Sequence, residues 1–94
     1  MKYFVMTERN PQNVDFKRTR LERINQIEST SYDDSTYIYV NNMSYKKLDN
    51  SLYSKTLAFN FMELLIEKAK NEEIIDIDFI FSLAEKRTTK ELTR

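Results

Sequence analysis

The sequence predicts a small single α+β domain over residues 1–94, with two to four β-strands packed on a long central helix (about 50–71) plus one or two shorter helices. The length of 94 residues fits one domain with a small core. β-branched and aromatic residues alternate over 35–41, as in a strand. A nearly continuous apolar pattern with helical spacing covers 50–71.

The chain is predicted to begin with a strand over 2–8, where Phe4 and Met6 alternate with two other apolar residues. Apolar residues on both sides of a strand indicate that both faces are covered. A polar segment over 10–13 follows and holds the only proline, which indicates a turn or loop.

The segment 14–28 has two interpretations. Leu21, Ile24 and Ile27 recur every three residues, which slightly favours an amphipathic helix. The polar residues after it could instead close a hairpin with the next strand, so a strand over 14–28 stays open.

The segment 35–41 is predicted to be a strand that places Tyr37 and Tyr39 on one face and two aliphatic side chains on the other. Asn41 and Asn42 follow it. Since asparagine tolerates the left-handed backbone region better than most residues, these two residues are expected to form a turn without glycine.

The segment 50–71 is predicted to be a helix of five to six turns, with Asn50 or Ser51 as its N-cap. Its polar residues form one narrow stripe at steps of four and three, namely Thr56, Asn60, Glu63, Glu67 and Lys70. A helix this apolar is expected at the centre of a core or at an oligomer interface.

The segment 73–82 also has two interpretations. The favoured one is a strand, followed by a helix that Ser82 caps. Residues 36–81 would then form a strand–helix–strand unit with a right-handed crossover. In the rival interpretation, Asp76 or Asp78 caps a helix that continues directly.

The chain contains no glycine, cysteine or histidine. Glycine-rich phosphate loops, thiolate nucleophiles, imidazole bases and the commonest metal ligands are therefore excluded in their usual forms. We expect no enzyme activity, no cofactor and no metal site. The lack of cysteine, of a signal-like start and of a long apolar run predicts a cytoplasmic protein without a membrane segment.

Two weak motifs are interpreted as structural or fortuitous. The acidic pairs at 33–34, 72–73 and 76–78 could hold a hard cation, but turn and cap roles are favoured. Ser44 and Lys47 match the Ser-x-x-Lys spacing of serine acyl-enzymes, but the partner motifs of those enzymes are missing.

Five residues are predicted to form a partner-binding surface: Arg18, Arg20, Arg23, Tyr37 and Tyr39. Arginine forks bind carboxylates and phosphates, and tyrosine adds a large ring at low entropy cost. The hypothesis is a non-enzymatic binding protein that modulates or inhibits a partner protein by occupying its surface. Residues of AT-rich codons are frequent, which favours a phage or mobile-element origin.

Two alternatives use other partners. The same arginines and tyrosines could bind nucleic acid, although the zero net charge disfavours this. The chain could also be an assembly subunit that forms a homo-oligomer through the helix at 50–71.

Overall fold

The computed structural model describes residues 3–10, 13–23 and 26–93, and side chains are described for Arg23 and residues 26–93. Six strands and two helices form in this part of the chain. In order, they are β1 (Tyr3–Asn10), β2 (Asn13–Arg23), β3 (Ile27–Tyr32), β4 (Ser35–Val40), β5 (Met43–Asp49), α1 (Leu52–Ala69), β6 (Ile74–Asp76) and α2 (Ile77–Leu92).

The predicted α+β class, with one long helix, is confirmed. The strands predicted over 2–8 and 35–41 form as β1 and β4. The described residues hold six strands rather than two to four, because β2, β3 and β5 pair antiparallel with neighbouring strands and the short β6 pairs parallel with β1. The turn predicted over 10–13 lies partly outside the described residues.

The first sheet has the strand order β2-β1-β6. β1 and β2 pair antiparallel, from Tyr3 opposite Arg23 to Arg9 opposite Lys17. The helix favoured over 14–28 is therefore wrong. Pairing with the preceding strand satisfies the backbone of this segment, and that outweighs a weak local helix preference.

The second sheet is an antiparallel meander with the strand order β3-β4-β5. Its two hairpin turns contain three non-glycine residues with positive φ, namely Asp33 (54°), Asn41 (51°) and Asn42 (67°). Asn41 and Asn42 form a two-residue loop between paired strand ends, the position where both residues are expected at positive φ. The prediction that Asn41 and Asn42 form a turn without glycine is confirmed.

The core lies between the second sheet and the two helices. Ile38 and Val40 of β4 are fully buried, and Phe61 of α1 is also fully buried beneath the sheet. The remaining buried apolar residues come from α1, β6 and α2: Leu57, Ala58, Leu65, Ile75, Ile77, Ile80, Phe81 and Ala84.

Helix α1 confirms the predicted long helix, and its Ser51 N-cap accepts a hydrogen bond from the Ser54 backbone N–H at 3.1 Å. The predicted polar stripe is wrong at Asn60, which is only 2% exposed. Its amide donates to Thr88 Oγ1 of α2 at 3.0 Å, and this bond offsets the cost of burial.

Helix α2 corrects the favoured interpretation of residues 73–82. Only Ile74–Asp76 is a strand, and the Asp76 carboxylate caps α2 by accepting from the Phe79 N–H at 3.1 Å. β6 pairs parallel with β1, not with β4, so the expected strand–helix–strand unit within one sheet is absent from the described residues. Neither described helix is long and apolar enough to cross a membrane.

Candidate functional site

The outward face of the second sheet carries a pair of stacked tyrosines. Along β4, Ile38 and Val40 point into the core, and Tyr37 and Tyr39 lie on the opposite face because successive residues of a strand alternate. The two rings are 5.8 Å apart between centroids and are inclined by 18°. Such stacking favours a defined orientation of the two rings.

The cross-strand neighbours of this pair are polar. Thr30 and Lys47 lie opposite Tyr37, and Glu28 and Ser44 lie opposite Tyr39. We call this surface the tyrosine face, and it consists of Glu28, Thr30, Tyr37, Tyr39, Ser44 and Lys47. Three of its members, Glu28, Ser44 and Lys47, are exposed, so the face is open to solvent.

One cation and one anion flank the rings. The Lys47 ammonium lies 5.9 Å from the centroid of the Tyr37 ring, within the range of a cation–π contact. Glu28 lies on the other side of β4, beside Tyr39. The tyrosine face thus combines two aromatic rings with balanced charge, and it has no excess of positive charge.

Asn41 connects the end of β4 to the end of β2. Its side-chain amide donates to the backbone carbonyl of Arg23 at 2.8 Å, and its own N–H donates to the carbonyl of Gln26 at 2.8 Å. Gln26 N–H donates in return to Asn41 Oδ1 at 3.2 Å. These bonds place the backbone of Arg23 close to the residue that follows β4, two positions beyond Tyr39.

The structure brings some of the five predicted site residues together. Tyr37 and Tyr39 stack on each other, and Arg23, which is exposed, has its backbone tied to Asn41. The backbones of Arg18 and Arg20 lie in β2, opposite Glu8 and Met6 of β1, and their side chains lie outside the described part of the chain. Their predicted role stays a prediction.

Sequence reasoning missed Lys47 and Glu28 as members of the site. Residues 43–49 were not predicted to be a strand, so nothing placed Lys47 beside Tyr37. The register of β5 shifts between Ile38 and Tyr39, and such a shift is not visible in a period-two pattern. Ser44 and Lys47, singled out as a possible catalytic pair, are opposite Tyr39 and Tyr37 respectively.

Three of the described acidic residues have clear structural roles. Asp33 occupies a hairpin turn and Asp76 caps α2, so these two residues have the turn and cap roles that were favoured over a cation site. Asp49 accepts hydrogen bonds from the hydroxyls of Ser51 and Ser54 at 2.6 and 2.5 Å. These bonds hold the pKa of Asp49 below its ordinary value. Among the described side chains, no three acidic groups lie together as metal ligands would.

Comparisons with protein-family models, with curated proteins and with solved structures found no match to this chain. The tyrosine face therefore has to be interpreted from its own geometry. Stacked rings, hydroxyls and one charge of each sign can bind a surface of mixed polarity.

Proposed function

We propose that this protein is a non-enzymatic binding protein whose tyrosine face docks on a partner protein and modulates that protein by covering part of its surface. The stacked pair of Tyr37 and Tyr39 on an open sheet face carries this proposal. Tyrosine is enriched in protein-binding surfaces because it presents a large, rigid, amphipathic area with few rotatable bonds.

The organisation of the face supports a protein partner. The rings already pack on each other, so little side-chain entropy is lost when a partner covers them. Lys47 and Glu28 are located at the edges of the pair, where rim charges influence orientation and association rate. A nucleic-acid surface would instead need several cations along the path of the phosphates.

The proposed partner is a host protein. The bias toward residues of AT-rich codons favours a phage or mobile-element gene, whose product would act in the cytoplasm of the host cell. Arg23, exposed beside the Asn41 turn, extends the proposed contact beyond the rings. Arg18 and Arg20 remain part of the proposed surface.

Affinity capture with matched baits tests the proposal. The wild type, the double variant Tyr37→Ser/Tyr39→Ser and the control Tyr53→Ser are immobilised and exposed to nuclease-treated lysate of a low-GC bacterium. We expect the wild type and the control to retain the same host protein and the double variant to lose it. With the purified partner, the double variant should raise Kd at least about tenfold, as expected for central aromatic residues.

Tyr53 is the matched control because it is a partly exposed tyrosine on α1, away from the tyrosine face. Circular dichroism of all baits checks that they are folded. Equal retention of the partner by the double variant would reject this surface. The same capture is repeated with untreated lysate. Capture seen only in the untreated lysate, together with oligonucleotide binding that weakens steeply with salt, would support a nucleic-acid partner instead.

A further inference from the structure

Helix α1 carries a row of exposed apolar side chains on the side away from the core. Leu52, Phe59 and Ile66 are 70%, 65% and 61% exposed, although each is a large hydrophobic residue. They are spaced by seven residues, which is nearly two helical turns, so they form one line about 21 Å long. We call this line the α1 stripe.

The α1 stripe lies opposite the buried side of the helix. Leu57, Phe61 and Leu65 face the core, and a 100° step per residue places the stripe on the far side of the helix axis from Phe61. Half-buried Met62 extends the apolar surface between Phe59 and Ile66. Isolated exposed apolar residues are ordinary, but an aligned row along one helix marks an association surface.

The charges beside the α1 stripe indicate which surface fits it. Lys55 and Glu63 stand four residues before and four residues after Phe59. If two copies of α1 pack antiparallel with Phe59 at the centre, Lys55 of each copy lies at the level of Glu63 of the other. A parallel pair would instead place lysine beside lysine and glutamate beside glutamate, and like charges at one level are unfavourable.

We propose that a second copy of this chain docks on the α1 stripe, with the two α1 helices antiparallel and Phe59 at the two-fold axis. Leu52 of one copy then packs beside Ile66 of the other. Such a contact is isologous and closes on itself, so it yields a dimer and no larger assembly.

The dimer is a reversible one. A single helix pair covers less surface than the roughly 1,600 Å² of a standard stable interface. We therefore expect a Kd on the order of 100 μM, which is typical of the weak class of contacts rather than of permanent dimers. The tyrosine face is the side of the second sheet that points away from α1. Both tyrosine faces therefore stay accessible in the dimer.

The first experiment measures mass against concentration by sedimentation equilibrium, from about 10 μM to about 1 mM so as to bracket that Kd. The wild type should change reversibly from a mass of 11.4 kDa toward twice that value. Phe59→Ser should weaken association about tenfold or more. The control Phe79→Ser removes an aromatic residue of similar exposure, 55%, from α2 and should leave association unchanged.

The second experiment uses charge reversal to test the antiparallel arrangement. Lys55→Glu alone and Glu63→Lys alone each place like charges at one level and should weaken self-association. In a parallel pair, either reversal would only exchange one like-charge pair for another, so weakening by the single variants is the result that tests the orientation. An equimolar mixture brings two glutamates on one copy to the level of two lysines on the other, so a mixed dimer should form at least as well as the wild type. Glu63 Oε1 also accepts from Arg87 Nη2 at 2.9 Å, but both groups are well exposed, and this loss should leave the variant folded.

Three outcomes would overturn the proposal. The first is a wild type that stays monomeric up to about 1 mM, a concentration ten times the expected Kd. The second is an equal effect of Phe59→Ser and Phe79→Ser, which would place the contact elsewhere. The third is a Lys55→Glu or Glu63→Lys variant that self-associates as well as the wild type, which would contradict the antiparallel arrangement. The double variant Tyr37→Ser/Tyr39→Ser should self-associate as the wild type does. This test is therefore separate from the test of the proposed function.

Discussion

At the scale of single residues, the chain forms its tight turns without glycine. Asp33, Asn41 and Asn42 adopt positive φ, a region that costs most residues about 1 kcal/mol or more. Asparagine and aspartate lower this cost because their short side chains hydrogen-bond locally. Asn41 also binds Arg23 and Gln26 through its side chain, whereas Asn42 is exposed at the tip of the turn.

The effect of a substitution at Asn42 on the free energy of unfolding should depend only on how well the new residue adopts positive φ. Asn42→Ala should lower the free energy of unfolding by about 1 kcal/mol, because alanine disfavours φ of 67°. Asn42→Gly should be neutral or slightly stabilising, since glycine adopts this conformation without strain. Urea denaturation measures both. If alanine and glycine were equally destabilising, the side chain of Asn42 rather than its backbone would matter.

At the scale of elements, the sequence predicts where α1 lies better than which way it faces. Its apolar residues surround most of the helix, so the pattern has no single hydrophobic side. In the structure, Phe61 is fully buried while Phe59 is 65% exposed, and Asn60 between them is buried against α2. Only the tertiary contacts with β4 and α2 decide these orientations.

Two phenylalanines on α1 provide a matched test of this orientation. Phe61→Ala should cost about 3–5 kcal/mol of unfolding free energy, because its ring packs on Tyr45 and Phe81 at centroid distances of 5.8 and 5.5 Å. Phe59→Ala should change stability by less than about 0.5 kcal/mol at a dilute concentration where the chain is monomeric. Equal losses for the two variants in urea denaturation would contradict the orientation of α1.

The elements that sequence reasoning missed were decided by pairing and capping. Leu21, Ile24 and Ile27 have a helical spacing, yet β1 pairs with 13–23 as a strand and β4 pairs with Ile27. Over 73–82 the residues fit both a strand and a helix, and the Asp76 cap starts the helix at Ile77. When a local sequence pattern fits both a strand and a helix, it does not show whether a neighbouring strand will pair with the segment or a capping residue will start a helix.

At the scale of the whole molecule, the sequence did not reveal that the strands form two sheets. β6 pairs with β1, about 70 residues earlier in the chain, and only three residues take part. For the candidate site, the tyrosine pair was predictable because alternation in β4 places Tyr37 and Tyr39 together. Lys47 was not, since its position depends on the register of β5.

The connection between the second sheet and α2 depends on Tyr45 of β5. Its hydroxyl donates to Asp78 Oδ1 at 2.7 Å, and its ring stacks on Phe61 and meets the edge of Phe81. Burial first, and then the hydrogen bond to Asp78, raise the pKa of Tyr45 well above its ordinary value of 10.0. Above pH 10, the folded protein therefore still holds this hydroxyl in its neutral form, whereas the hydroxyl ionises in the unfolded chain.

This difference predicts that alkaline pH weakens the fold through Tyr45. A raised pKa in the folded state means that the stabilisation is complete below pH 10 and is lost as the pH rises above it, because the unfolded state gains by ionising. At pH 7, the free energy of unfolding of Tyr45→Phe should be about 1–3 kcal/mol lower than that of the wild type, because the hydrogen bond to Asp78 is lost. Above pH 10 this gap should narrow, since phenylalanine cannot ionise.

Urea denaturation of both proteins from pH 7 to pH 11 measures the gap. Lys46, whose ammonium lies 5.1 Å from the centroid of the Tyr45 ring, is present in both proteins. Its own contribution to the pH dependence of stability is therefore common to both. Tyr32→Phe is the matched control for removal of a tyrosine hydroxyl, because Tyr32 is 66% exposed. A gap between wild type and Tyr45→Phe that stays constant up to pH 11 would show that the Tyr45 hydroxyl ionises as easily in the folded protein as in the unfolded chain.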